Sequence, residues 1–152
     1  MKLLTFEICD DLFGIDINSV KEINRKVIFT EVPVSSPHII GLYNMRGQIV
    51  TVFDTAQMLG YSDERYNYKS GNGIHFSCVV LKAADISDIA AFAVDAAKDT
   101  ISVNGPIISV PRNVELKMRE NLKGVFELKE TLLLVIDESK LFLSKKQKQG
   151  NV

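Results

Sequence analysis

Few residues of this chain could do chemistry, and their spacing does not assemble a reaction. The histidines, His38 and His75, stand apart with no second histidine or cysteine beside either, so neither starts a zinc set. His38 follows Pro37, which suits a turn residue better than a ligand. The cysteines, Cys9 and Cys78, lack CxxC spacing and fall in strand-like runs, where a buried, reduced thiol is the expected state. There is no nucleophile elbow and no glycine-rich phosphate loop of the Walker or dinucleotide type, and the "GNG" at 71–73 is too short to cradle a phosphate. Asp16, Asp54, Asp95 and Asp137 each follow an apolar run and could in principle pair for acid–base work. Asp54, with Gln57 three residues on, reads better as a helix cap, and so does Asp137; Asp16 and Asp95 have no capping partner in the sequence. No catalytic constellation, metal site or cofactor site is legible.

What remains is a charge in an odd place. In "GLYNMRGQIVTVFDTAQML" (41–59), Arg46-Gly47 interrupts two apolar runs, as the tip of a hairpin would. The arginine there is either a solvated turn residue or a charge held out for a partner.

The elements around it read as short strands with turn signals every 8–12 residues, the pattern of sandwiches and barrels rather than βαβ units. "LLTFEIC" and "LFGIDI" flank Asp10-Asp11, "HFSCVVLKA" and "IAAFAVD" flank "ADISD", and "NLKGVFEL" and "TLLLVID" flank Lys129-Glu130. Helical patches are brief. Ser19 with Glu22 suggests a capping box for "VKEI", placing Val20 and Ile23 inward and Lys21, Glu22 and Arg25 outward. Asp54 gives the same cue for "TAQML", with Gly60 as its left-handed stop. The polar stretch 61–73 and the basic end "KKQKQGNV" (145–152) are expected to be mobile.

The chain also repeats itself. "GLYNMRGQIVTVFDTAQML" from Gly41 aligns with "GVFELKETLLLVIDESKLF" from Gly124, matching Tyr43 with Phe126, Arg46 with Lys129, Val52 with Val135 and Asp54 with Asp137. "FGIDI" at Phe13 likewise matches "FAVDA" at Phe92, and the offsets of 79 and 83 residues agree closely. Two similar β halves of about 80 residues follow, each with a hairpin leading into an Asp-capped short helix. Halves of that size are marginal alone and are expected to share an interface.

The totals narrow the function classes. The 152 residues are 46% apolar and 24% charged, ordinary for a globular protein long enough to fold without staples. A net charge of −1 offers no field for nucleic acid or anionic membrane. Glu7, Asp10 and Asp11 break any signal-peptide core, and no apolar run approaches the roughly 18 residues that span a bilayer. A cytoplasmic protein is expected.

Finally, "FGIDINSVKEI" followed by "VPVSSPHIIGLYNMRGQIVTVFD" resembles the CheW family of chemotaxis coupling proteins. The family's V-x-E-[VI] segment falls on Val20-Lys21-Glu22-Ile23, its proline on Pro33, and its G-x-x-N-x-R-G-x-[IV]-x-P-V-x-D run on Gly41 through Asp54. "FAVDAAKDTI" and "LKGVFELKETLLLVID" match its later strands, so the likeness covers roughly residues 3 to 143. Three positions depart from the pattern: Thr51 for the usual proline, Thr55 after Asp54, and Ala96 for a common glycine.

The resemblance implies an all-β fold with a few short helices: two SH3-like five-stranded barrels packed together. A single domain over 1–146 would comprise halves near 1–75 and 76–143, with exchange of strands between them left open, and a tail at 147–152. It implies a non-enzymatic adaptor, monomeric when isolated, that needs no cofactor. Its partners would be the regulatory domain of a CheA-type histidine kinase and the cytoplasmic tip of a chemoreceptor, with no nucleic acid and no insertion into the membrane. Arg46 and Val20 would serve the receptor side, Glu22 and Gly41 the kinase side, and Gly47, Asp54, Gly124 and Asp137 the framework. Arg46 could equally brace its hairpin against the other barrel. An adaptor in a non-motility chemosensory pathway, or a small ligand-binding or enzymatic barrel using the groove between the halves, stands as the alternative.

Overall fold

The computed structural model describes residues 1–31, 38–61, 76–82 and 89–141; Pro33, His75, the polar stretch after Tyr61 and the basic end lie outside the described residues. The elements run β1 (Lys2–Ile8), β2 (Asp11–Asp16), a 3-10 turn (Ile17–Ser19), β3 (Val20–Val27), β4 (Ile39–Met45), β5 (Gln48–Phe53) and α1 (Thr55–Met58). They continue as β6 (Phe76–Leu81), β7 (Ile89–Val94), β8 (Ala96–Ser102), α2 (Leu116–Arg119), β9 (Leu122–Glu127) and β10 (Leu132–Ile136). The fold is all-β with short helices, in two five-stranded sheets ordered β8-β1-β2-β10-β9 and β3-β6-β7-β5-β4.

The two orders are the same order. Pairing β1 with β6, β2 with β7, β3 with β8, β4 with β9 and β5 with β10 turns one sheet into the other, including the parallel contacts β2–β10 and β5–β7. Each sheet takes its hairpin of first strands from one part of the chain and its other three strands from the other part. The exchange makes every strand of β6 and β7 buried along its whole length, covered on both faces, so "FSCVVL" and "IAAFAV" read as continuous apolar runs. Phe6, Phe13 and Ile15 of one sheet belong to the same apolar cluster as Val52, Phe53, Val79 and Phe92 of the other. Phe6, Phe13, Phe53, Phe76 and Phe92 are fully buried, each contributing about 1.5–3 kcal/mol.

Each sheet closes on itself. Past a register shift between Asn24 and Val27, with Lys26 in the left-handed region (φ 54), the chain leaves β6 and turns toward the opposite edge. There Thr30 pairs with Leu42 of β4 through two backbone bonds of 2.7 and 2.9 Å. In the other sheet Ile108 pairs with Val125 of β9 in the same way, at 2.9 and 2.8 Å. Leu42 and Val125 directly follow Gly41 and Gly124, and the reason is steric. A Cβ on Gly41 would lie 2.4 Å from the Thr30 carbonyl oxygen, and one on Gly124 would lie 2.7 Å from that of Ile108. Joining the edges leaves these sheets barrel-like, without open rims for unwanted pairing.

Two sequence expectations are corrected. "VKEI" is the start of strand β3, not a capped helix: Val20 pairs with Leu81, and Glu22 with Val80 of β6. Ladder pairing with a fully buried neighbour outweighs the local capping cue, and Ser19 Oγ donates to Glu138 Oε1 (3.0 Å) instead. Cys9 is buried as expected but sits in a turn: Cys9 (φ 50) and Asp10 (φ 68) form the tip that joins β1 to β2. Other cues hold. Asp54 Oδ1 accepts from Gln57 N (3.1 Å), Gly60 stops α1 at φ 92, and Asp137 Oδ1 accepts from Ser139 Oγ (2.6 Å) and Lys140 N (3.3 Å) as 138–141 turn helical.

Gly41→Ala and Gly124→Ala should each destabilise the protein by about 1–3 kcal/mol through the forced separation of backbone segments. Gly47→Ala meets no neighbour and should cost only the left-handed backbone strain, about 1–2 kcal/mol. Urea unfolding of the three variants checks this; a Gly41→Ala midpoint equal to wild type would contradict the closure.

Candidate partner-binding site

The closure brings side chains of β3 and β4 together although the two strands are opposite edges of their sheet. Because β3 is a strand, Glu22 and Asn24 point to the same face, two residues apart. In a helix they would not have faced each other. Tyr43 and Arg46 reach them from β4 and its tip.

The tip itself aims the arginine. Met45 pairs with Gln48, so the connection is the two-residue turn Arg46-Gly47, with φ of 50 and 86. Such a left-handed pair follows the twist of the strands, and glycine takes its second position without strain. Asn44 Oδ1 accepts from Gly47 N (2.7 Å) and pins the turn. The matching tip at Lys129-Glu130 has no glycine, and neither residue has positive φ, so the two hairpins differ where it matters.

From this tip Arg46 Nη2 donates to Glu22 Oε2 at 2.6 Å. The guanidinium side chain is 70% exposed and that of Glu22 25%. The other Glu22 oxygen accepts from Asn24 Nδ2 (2.9 Å), and Asn24 Oδ1 accepts from the Tyr43 hydroxyl (2.5 Å). That hydroxyl also meets the thiol of Cys78, the residue opposite Asn24 on β6. A polar ladder thus runs from a buried thiol to an exposed cation. Burial, reinforced by the Cys78 and Glu22 neighbours, drives the Tyr43 hydroxyl well above the usual phenol range. Burial likewise pushes Cys78 up to about 12, against the opposing effect of its contact with the Tyr43 hydroxyl, so the thiol stays protonated and inert.

The geometry assigns places to the other sequence-selected residues. The Arg46 brace runs within one sheet, to Glu22 of β3, which closure sets beside β4. Val20 is 9% exposed and packs in the core, while Gly41 is buried beneath Thr30. Gly47, Gly124, Asp54 and Asp137 are framework positions: a tip, a closure and two caps. His38 is a buried turn residue whose Nδ1 lies 2.8 Å from Gln57 Oε1. Asp16 accepts from Asn18 N (2.9 Å), a local turn that its spacing could have revealed. Asp95 Oδ2 accepts from Cys9 N (2.7 Å), a contact 86 residues away that no local pattern signals. Asn24 and Tyr43 were missed for the same reason. Thr51 lies in an interior strand, opposite Leu42 and Ala90, rather than on an edge.

Two five-stranded barrel-like sheets thus carry an exposed cation braced on the closed edge of one of them. The CheW-like domain model matches residues 2–146, and the chain belongs to that family. It is 27% identical over 153 aligned positions to the chemotaxis protein CheW of Treponema pallidum, covering 99% of this chain and 88% of that one. Its identity to the CheW protein of Thermotoga maritima is 25%, over 98% of this chain and 92% of the relative. The crystal structure of the scaffolding protein TtCheW from Thermoanaerobacter tengcongensis has the same fold, with a TM-score of 0.73 at 24% identity over 93% of this chain and 86% of that one.

The hydrogen bond from Arg46, joined by that from Asn24, holds Glu22 below the usual carboxylate range. A depressed folded-state value means the pair contributes fully above the unfolded glutamate value and is lost as pH falls through the lowered one. Carboxyl carbon shifts should therefore show Glu22 titrating below an ordinary glutamate, and Arg46→Ala should move its midpoint up. An unmoved midpoint would mean that the pair does not persist in solution.

Proposed function

We propose that this chain is a non-catalytic chemotaxis adaptor that binds both a CheA-type histidine kinase, through its regulatory domain, and the cytoplasmic tip of a chemoreceptor. Family membership and the chemotaxis names of its relatives support the pathway. The observation that carries the contact itself is Arg46: an exposed guanidinium on a two-residue tip, with Glu22 as its one side-chain acceptor among the described residues. A planar fork held in this way suits bidentate capture of a carboxylate or side-chain amide on a helical receptor tip.

In this reading Arg46 and Val20 serve the receptor side, Val20 as part of the wall behind the contact rather than as a projecting group. Glu22 and Gly41 serve the kinase side, Gly41 by setting how closely β4 approaches Thr30. Residues 1–146 act as one unit, because halves near 1–75 and 76–143 would each leave both sheets short of strands. Among the described residues no helix is long and apolar enough to cross a membrane; in this reading the protein is cytoplasmic and joins membrane arrays through the receptor.

Calorimetric titration with the kinase regulatory domain and with a receptor-tip fragment of the same organism tests this. Saturable binding to both is expected. Arg46→Glu, which sets a second negative charge beside Glu22, should weaken the receptor titration by about tenfold or more while Tm moves only a few degrees. Unchanged receptor affinity would remove Arg46 from the contact; absence of heat with either partner would overturn the adaptor reading.

A further inference from the structure

The ladder beneath Arg46 has a sense of direction. The Tyr43 hydroxyl donates to Asn24 Oδ1 (2.5 Å), which leaves the Asn24 amide nitrogen to donate to Glu22 Oε1 (2.9 Å). Turning that amide over would set its carbonyl against the carboxylate and take from the Tyr43 hydroxyl proton the oxygen that accepts it. The tyrosine therefore fixes the amide, the amide fixes one carboxylate oxygen, and the other oxygen receives Arg46 Nη2 at 2.6 Å. Glu22 is gripped from both sides rather than free to follow the arginine.

An exposed ion pair without such support contributes little, because two long side chains lose their freedom to hold one geometry. Here the carboxylate is already ordered, so Arg46 alone has freedom to lose. The guanidinium spends one Nη2 hydrogen on Glu22. Whichever hydrogen that is, one two-donor edge remains complete, either Nη1–Nη2 or Nε–Nη2. Tyr43 is half-buried on β4 and Asn24 half-buried on β3, so neither needs to touch a partner to act.

We infer that Tyr43 and Asn24 are positioning residues for partner binding, which orient Glu22 and through it aim the free edge of Arg46 at a planar carboxylate or amide acceptor on the partner. This rests on the reading of Arg46 as a receptor contact. Two measurements on the full chain test the two levels separately.

Nitrogen relaxation of the Arg46 Nε–H group needs no partner. It should report an ordered guanidinium in wild type and a mobile one in Tyr43→Phe and Asn24→Leu. Equal order in wild type and both variants would overturn the positioning role, whatever the partner proves to be. Titration with the receptor-tip fragment then asks about binding. Tyr43→Phe, which keeps the ring packing, should lose about threefold to tenfold in affinity with Tm nearly unchanged, and should cause no further loss in an Arg46→Ala background. Losses that multiply in the double variant would show that Tyr43 acts independently of Arg46, and would overturn the inference. Failure of wild type to bind the fragment would overturn the adaptor reading and the binding half of this one, while the relaxation result would still decide whether the ladder orders Arg46.

Discussion

The close approach of two backbone segments, Thr30 over Gly41 and Ile108 over Gly124, is the constraint on which the rest of the structure depends. It joins the free edges of each sheet. Without it, β3 and β4 would be separated by the width of three strands, and Glu22, Asn24, Tyr43 and Arg46 would have nothing in common. With it, four residues from two edges form one hydrogen-bonded ladder with a cation at its outer end. Glycine is needed at these positions because of what lies above them, not because of their own backbone angles.

The second constraint is the exchange of strands. A half of about 80 residues has too little interior to be stable by itself. Here each sheet is completed by strands from the other part of the chain, so the two sheets share one apolar cluster and neither can move far without the other. That rigidity is useful in a scaffold. In the proposed role, a framework with few soft modes would hold the Arg46 guanidinium in one direction, and partner affinity would then lose less to ordering.

Much of the framework was legible in the sequence because it is local. Hairpins, the Asp54 and Asp137 caps, the Gly60 stop and the repeat all follow from residues within a few positions of one another, or from the recurrence of such groups. The failures are where distant pairing outweighs a local cue. "VKEI" carries a capping signature, yet β6 claims it as a strand. The Arg46-Gly47 tip was visible as a turn, but its acceptor on β3, and the Asn24–Tyr43 support beneath it, are visible only once the sheet has closed. Asp95 reaching Cys9 is the same kind of contact, set by the packing of two turns and by no spacing in the chain.

The central claim, that Arg46, aimed from the closed edge of β3 and β4, is the receptor contact, is tested most directly by amide chemical-shift mapping of the labelled protein with a receptor-tip fragment. The account predicts perturbations concentrated in residues 20–27 and 41–51, with the guanidinium resonance of Arg46 among the largest. Perturbations confined to β9, β10 and their tip, leaving Arg46 unmoved, would contradict it.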